Sequence, residues 1–169
     1  DWQHYPQGAE LYISDRQGGH VKRLTNNDYY EAEVTVSPDG KWIVFGRQIK
    51  GNMDLWVMNA DGTGEHQITF TEDWQEGAPY FLPDSNTILF RAWKASEYGQ
   101  RPTPMTIFTI KRDGSDLKTQ THTHEMNWAP YPTPDGKHFL YVRIEPGSNN
   151  WEVYLGELNP RISGTSSMT

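Results

Sequence analysis

A four-residue turn recurs along the chain and sets its period. Ser37-Pro38-Asp39-Gly40 returns as Leu82-Pro83-Asp84-Ser85 and as Thr133-Pro134-Asp135-Gly136, and the three prolines are 45 and 51 residues apart. Each copy precedes an apolar run: Ile43-Val44-Phe45, Ile88-Leu89-Phe90 or Phe139-Leu140-Tyr141. A second marker, Asp61-Gly62, recurs as Asp113-Gly114 and more loosely as Gln17-Gly18, and a threonine follows each glycine by seven residues (Thr25, Thr69, Thr121). Two markers in one phase define a true repeat. Within one unit, Glu31 to Thr69, four short β-type runs (EVTV, WIVF, LWVM, HQIT) alternate with the turn signals SPDG, QIKGN and NADGTG, which describes a four-stranded antiparallel meander. One such sheet cannot bury both of its faces. Units of 40 to 50 residues with four strands each solve this by stacking as the blades of a β-propeller.

The xSPDGKxIxF turn, the D-L-W-V-M-N-A-D-G-T run and the terminal Q-I-T resemble the repeat of TolB-type propellers, which is also similar to the propeller of the prolyl oligopeptidase and dipeptidyl peptidase families. The resemblance extends from about Gly8 to about Leu158. It implies an all-β fold of about three and a half four-stranded antiparallel blades, a partial propeller or half of an oligomeric ring. The expected units are a partial blade over 1–25, full blades over 26–69 and 70–121, and a last blade over 122–163 with a fourth strand at 160–163. A disordered tail follows at 164–169. Since closed propellers hold about four to eight blades, the chain reads as a fragment of a larger propeller or as one of two copies that complete a ring. The resemblance further implies an exported, periplasmic location, because TolB is a periplasmic component that engages peptidoglycan-associated lipoprotein and other Tol proteins.

Composition narrows the partners. A net charge of −7 argues against nucleic acid, which calls for a basic face. No stretch of 18 apolar residues is present, so no membrane insertion is expected. With no cysteine, thiolate metal sites and disulfides are ruled out. Seven Trp, nine Tyr and six Phe suit short strands and an aromatic recognition surface.

Counting back seven residues from the turn prolines reaches Glu31, Glu76 and Asn127, equivalent positions at the mouth of each blade's first strand. Around them lie Tyr29, Tyr30 and Glu33, then Asp73 and Trp74, then His122, His124, Glu125 and Trp128. This rim reads as a binding face for a protein or peptide, with Trp74 and Trp128 alternatively packed between blades. Arg47 and Arg143 stand nine residues after their turn proline and Arg91 eight after its own, placed to clamp an anionic ligand or to pair with the rim acids. The unit over 70–121 is eight residues longer than its predecessor, and the excess falls in Lys94 to Pro104, a candidate binding loop.

No cofactor is expected. His122 and His124 would point the same way on an extended segment, as a transition-metal pair requires, and calcium at the Asp-Gly turns is the other alternative. Asp39, Asp61, Asp113 and Asp135 read instead as turn formers that bond their own backbone. There is no G-x-S-x-G elbow, H-E-x-x-H or Gly-rich phosphate loop. The expected function is therefore a non-catalytic scaffold. The alternatives are a propeller belonging to a carbohydrate-active or peptidase-type enzyme, and a self-associating module that closes a ring by dimerisation.

Overall fold

The computed structural model describes residues 5–144, 147 and 149–158; the fourth strand expected at 160–163 and the tail at 164–169 lie outside them. The described residues form four antiparallel sheets in chain order. The first pairs β1 (Tyr12–Ile13) with β2 (Lys22–Arg23). The second is the meander β3 (Tyr30–Val36), β4 (Trp42–Ile49), β5 (Asn52–Asn59) and β6 (His66–Gln67). The third repeats it as β7 (Trp74–Phe81), β8 (Thr87–Lys94), β9 (Thr106–Lys111) and β10 (Lys118–Thr119). The fourth holds β11 (Asn127–Pro132), β12 (His138–Ile144) and β13 (Trp151–Glu157). The strands are longer than the four-residue runs legible in sequence, because Gly46-Arg47-Gln48-Ile49 and Asn52-Met53-Asp54 continue the pairing up to a two-residue turn at Lys50-Gly51.

The two markers have distinct jobs. In the proline turns the aspartate accepts from both sides of the turn: Asp39 Oδ1 from Ser37 Oγ and the Lys41 N–H, and Asp135 Oδ1 from Thr133 Oγ1 and the Lys137 N–H. Each periodic threonine reaches across its sheet, to the third strand in the two full meanders and to the residue before β1 in the first sheet, where its hydroxyl accepts a backbone N–H. Thr25 takes that of Leu11 at 2.9 Å, Thr69 that of Leu55 at 2.8 Å and Thr121 that of Ile107 at 2.9 Å. All three threonines are buried, so each satisfies a donor that water cannot reach.

Strand alternation sends successive side chains to opposite neighbours. Val44, Leu55, Val57 and Ile68 of the second sheet meet Phe81, Ile88, Phe90, Phe108 and Ile110 of the third. Leu82, Leu89 and Ile107 leave the other face of the third sheet to meet Phe139 and Tyr141 of the fourth. Leu11 of the first sheet packs with Ile43, Phe45 and Met58. Each wholly buried Leu, Ile or Phe contributes about 1.5–3 kcal/mol, so the seams between sheets hold the arc together.

Every first strand carries a bulge. The register of β3 against β4 shifts between Ala32 and Thr35, that of β7 between Gly77 and Tyr80, and that of β11 between Trp128 and Tyr131. The residue at the bulge has positive φ each time: Glu33 at 54°, Ala78 at 47° and Ala129 at 50°. Such bulges bend a strand and re-aim its side chains. Here they do so at one level of the repeat.

Candidate functional site

The mouth of the first strands is a ring of polar groups, each held differently. In the second sheet Glu31 lies directly opposite Arg47. Arg47 donates through Nε to Glu31 Oε1 at 2.7 Å and through both terminal nitrogens to Glu65, at 2.7 and 2.5 Å. Asn27 Nδ2 adds a bond to Glu31 Oε1 at 2.9 Å, and the guanidinium rests over the Trp56 ring, 4.4 Å from its centroid. Glu31 and Arg47 are both buried. In the fourth sheet Asn127 takes the place of the acid: Arg143 Nε donates to Asn127 Oδ1 at 3.0 Å and lies 3.0 Å from Glu125 Oε2.

The third sheet breaks the pattern. Glu76 faces Ala92 rather than an arginine. Its Oε1 accepts from the Thr71 hydroxyl, and Oε2 is buried with no partner among the described residues. Burial pushes the Glu76 carboxyl well above its ordinary range, and the neighbouring Asp54 adds to the rise. Burial also raises Asp54 itself. Arg91, one residue out of step, reaches instead to the preceding sheet, where its Nη2 donates to Glu33 Oε1 at 2.9 Å while Glu33 Oε2 accepts from the Ala78 N–H at 2.8 Å. Gly77 makes this contact possible, since a Cβ there would collide with the Glu33 carboxylate and the Arg91 guanidinium. A small cavity of about 50 Å³ next to Glu76 is walled by Tyr5, Tyr30, Glu33, Arg91 and Trp93, with Tyr30 stacked on Tyr5 at 4.5 Å between centroids.

The aromatic residues divide. Trp74 is half-buried against the seam between the second and third sheets, edge-on to Phe108 at 5.7 Å. Trp128 is exposed and meets Trp151 edge-to-face at 5.6 Å. Tyr131 is exposed and crosses Tyr80 at 5.1 Å. Glu33, Ala78, Tyr80, Trp128, Ala129 and Tyr131 line a hollow of about 280 Å³ at the level of the bulges.

A larger cleft of about 960 Å³ opens between the inserted loop and the last sheet, lined among others by Arg101, Pro102, Pro104, His124, Glu125 and Trp151. The candidate binding loop begins with a turn of 3-10 helix at Ala95–Glu97, anchored by the Ala95 N–H donating to the Asp73 carbonyl at 2.8 Å. Glu97 then approaches His124 Nε2 at 3.4 Å. His122 and His124 are both exposed, and among the described residues no group of three His, Asp or Glu is arranged to hold a metal ion. Also among them, no helix is long and apolar enough to cross a membrane. Sequence reasoning placed the ring residues but missed Asn27, Asp54, Glu65 and Thr71, which hold them. The only sequence signal for two of these was that Asn27 and Thr71 stand two residues after a periodic threonine.

Stacked four-stranded meanders around bulged inner strands define a β-propeller arc of TolB type. The chain belongs to the family of Tricorn protease N-terminal β-propeller domains, whose model matches residues 6–168. It is similar to the uncharacterized protein Atu1656 of Agrobacterium fabrum (strain C58), at 28% identity over 150 residues that cover 83% of this chain and 49% of that protein. A shorter stretch of 65 residues is 37% identical to dipeptidyl-peptidase 5 of Porphyromonas gingivalis, covering 35% of this chain and 9% of the peptidase. Among solved structures, TolB from Acinetobacter baumannii superposes with a TM-score of 0.71 at 22% identity, covering 89% of this chain and 35% of TolB. The chain thus spans about half the length of the Agrobacterium relative and less of the others.

Proposed function

We propose that this arc is a non-catalytic scaffold that binds a protein or peptide over its channel rim, in the cleft between the inserted loop and the last sheet. The observation that carries the reading is the make-up of that cleft. Pro102, Pro104 and Trp151 offer rigid apolar surface, and Arg101 offers a cation bonded only to the Gln100 carbonyl and set over the Tyr98 ring among the described residues. Rigid rings and an arginine are the groups that anchor protein ligands. Apart from Glu76, the ring acids and arginines, in contrast, are engaged with one another, which fits a role in holding the strand mouths in place. The TolB resemblance supports an exported, periplasmic setting for this activity.

A display library of random peptides, followed by fluorescence polarisation with the selected sequences, tests the proposal. Arg101→Glu and Pro104→Gly should each weaken selected peptides by at least about tenfold, the loss of roughly 1.4 kcal/mol, without lowering Tm. A library that yields no binder, or binders indifferent to both substitutions, contradicts it.

Family membership and the stretch shared with dipeptidyl-peptidase 5 favour a second reading, in which the arc is the propeller portion of a peptidase-type enzyme. The same cleft would then select substrates for chemistry performed elsewhere. Assay of the longer protein that the second reading requires, on peptide substrates, separates the two: turnover supports the enzyme reading and its absence the scaffold.

A further inference from the structure

We propose that the small cavity between the second and third sheets is a socket for a primary carboxamide, supplied by an asparagine or glutamine side chain of a peptide or by a free small amide. The repeat shows what is different there. Arg47 lies opposite Glu31 and Arg143 opposite Asn127, and each arginine donates to the residue it faces. In the third sheet Ala92 stands in that place, so no cross-strand partner answers Glu76. Its Oε1 accepts from the Thr71 hydroxyl, while Oε2 is buried and unpaired among the described residues. Arg91 stands opposite Gly77, where the missing side chain leaves room for the guanidinium; a Cβ on Gly77 would lie 2.9 Å from Nη1. Arg91 Nη2 donates to Glu33, and Nε is buried with no partner among the described residues.

Glu76 and Arg91 both line the cavity. The neighbouring polar groups are already engaged. Gln75 Oε1 accepts from the Met53 N–H at 3.1 Å, its Nε2 donates to Asn52 Oδ1 at 3.2 Å, and the two Glu33 oxygens take Arg91 and the Ala78 N–H. Met53, Gln75, Glu76 and Trp93 are buried whereas Tyr5 and Glu33 are exposed, which gives the cavity a closed floor and an open mouth. Buried polar atoms left without a partner call for one. A volume of about 50 Å³ is far below the roughly 300–1,000 Å³ of a site for a whole drug-sized ligand, so a single functional group fits. Arg91 Nε–H requires an acceptor. Glu76 Oε2 donates while the carboxyl holds its proton and accepts once it is lost, and a carboxamide, with one carbonyl oxygen and one NH₂, answers it in either state. An ammonium offers no acceptor to Nε, and a carboxylate would stand beside an arginine that Glu33 already neutralises. Tyr5 and Tyr30, stacked with an interplanar angle of 9°, add a flat wall suited to a planar amide. This socket lies in a different seam from the loop cleft, so either site can fail alone.

Titration of the isotope-labelled chain with propionamide, followed by NMR at the Arg91 Nε–H and the backbone amides of Gln75 to Gly77, tests the proposal. Saturable shifts are expected with propionamide and not with propionate or propylammonium, which match it in size. Acetyl-Gly-Gln-Gly should bind where acetyl-Gly-Glu-Gly does not. Tighter binding of that peptide than of propionamide assigns the socket to peptide side chains, and the reverse assigns it to a free amide. Arg91→Lys keeps a cation for Glu33 but has no Nε–H, and should weaken propionamide by about tenfold, the worth of one hydrogen bond. Glu76→Gln places an N–H where Oε2 stands and should bind within about threefold of wild type, whereas Glu76→Met should lose about tenfold. No saturable shift with propionamide, equal shifts with propionate or propylammonium, unchanged affinity in Arg91→Lys, or a soaked crystal holding only water in the cavity overturns the proposal.

Discussion

Replacing Glu76 by Gln should reduce a pH dependence that the wild-type arc carries in its interior. Glu76 is 1% exposed, has no arginine opposite, and shares its surroundings with Asp54, while the Glu33–Arg91 pair stands across the small cavity. A carboxyl raised above its ordinary value of 4.5 keeps its proton in the folded chain after the unfolded chain has released it. Stability is therefore full below the unfolded value and declines as pH rises toward the folded one, by at most about 1.4 kcal/mol per pH unit for one proton. Asp54, also raised by burial, adds a decline of the same sign. Glutamine keeps an acceptor for the Thr71 hydroxyl and has no charge to desolvate. Urea unfolding followed by tryptophan fluorescence should find the variant close to wild type near pH 4 and increasingly more stable than wild type as pH rises toward 7. Parallel stability profiles, or a variant less stable at every pH, would show that Glu76 is ionised and compensated in the fold, and would refute the reasoning.

Two further substitutions probe the repeat. Arg47→Ala leaves the buried Glu31 without its cation and should cost about 3–5 kcal/mol by urea unfolding; a cost under about 1 kcal/mol would mean that the Glu31–Arg47–Glu65 cluster behaves as a surface ion pair. Thr69→Val strips the acceptor from the buried Leu55 N–H and should cost about 1–3 kcal/mol, with Thr69→Ser recovering most of it. A Thr69→Val variant as stable as wild type would show that the hydroxyl contributes nothing, since valine keeps the methyl group and loses only the acceptor.

The turns and threonines were legible because their work is local to one repeat. Asp39 bonds within its own turn, and Thr69 bonds β5 of the same meander. Pairing of Arg47 with Glu31 was likewise readable, since two positions on adjacent strands of one meander have a set register. Burial of that pair was not: spacing puts Glu31 at a strand mouth but does not say that Trp56, Asn27 and Glu65 close over it. The Asp54–Glu76 and Glu33–Arg91 contacts join neighbouring sheets, so they depend on how blades stack and leave no mark in the spacing of one unit. Positive φ at Glu33, Ala78 and Ala129 was hidden for a different reason. None of these is the glycine or asparagine that announces a left-handed residue, and only the paired strands impose it.

A crystal structure of the chain bound to a library-selected peptide tests the account most directly. The peptide is expected in the cleft between Arg101 to Pro104 and the last sheet, with its anchoring side chain against Trp151 and an acidic group at Arg101. A peptide seated on the opposite face of the arc, or on the outer face of the last sheet, would contradict a recognition site at the rim.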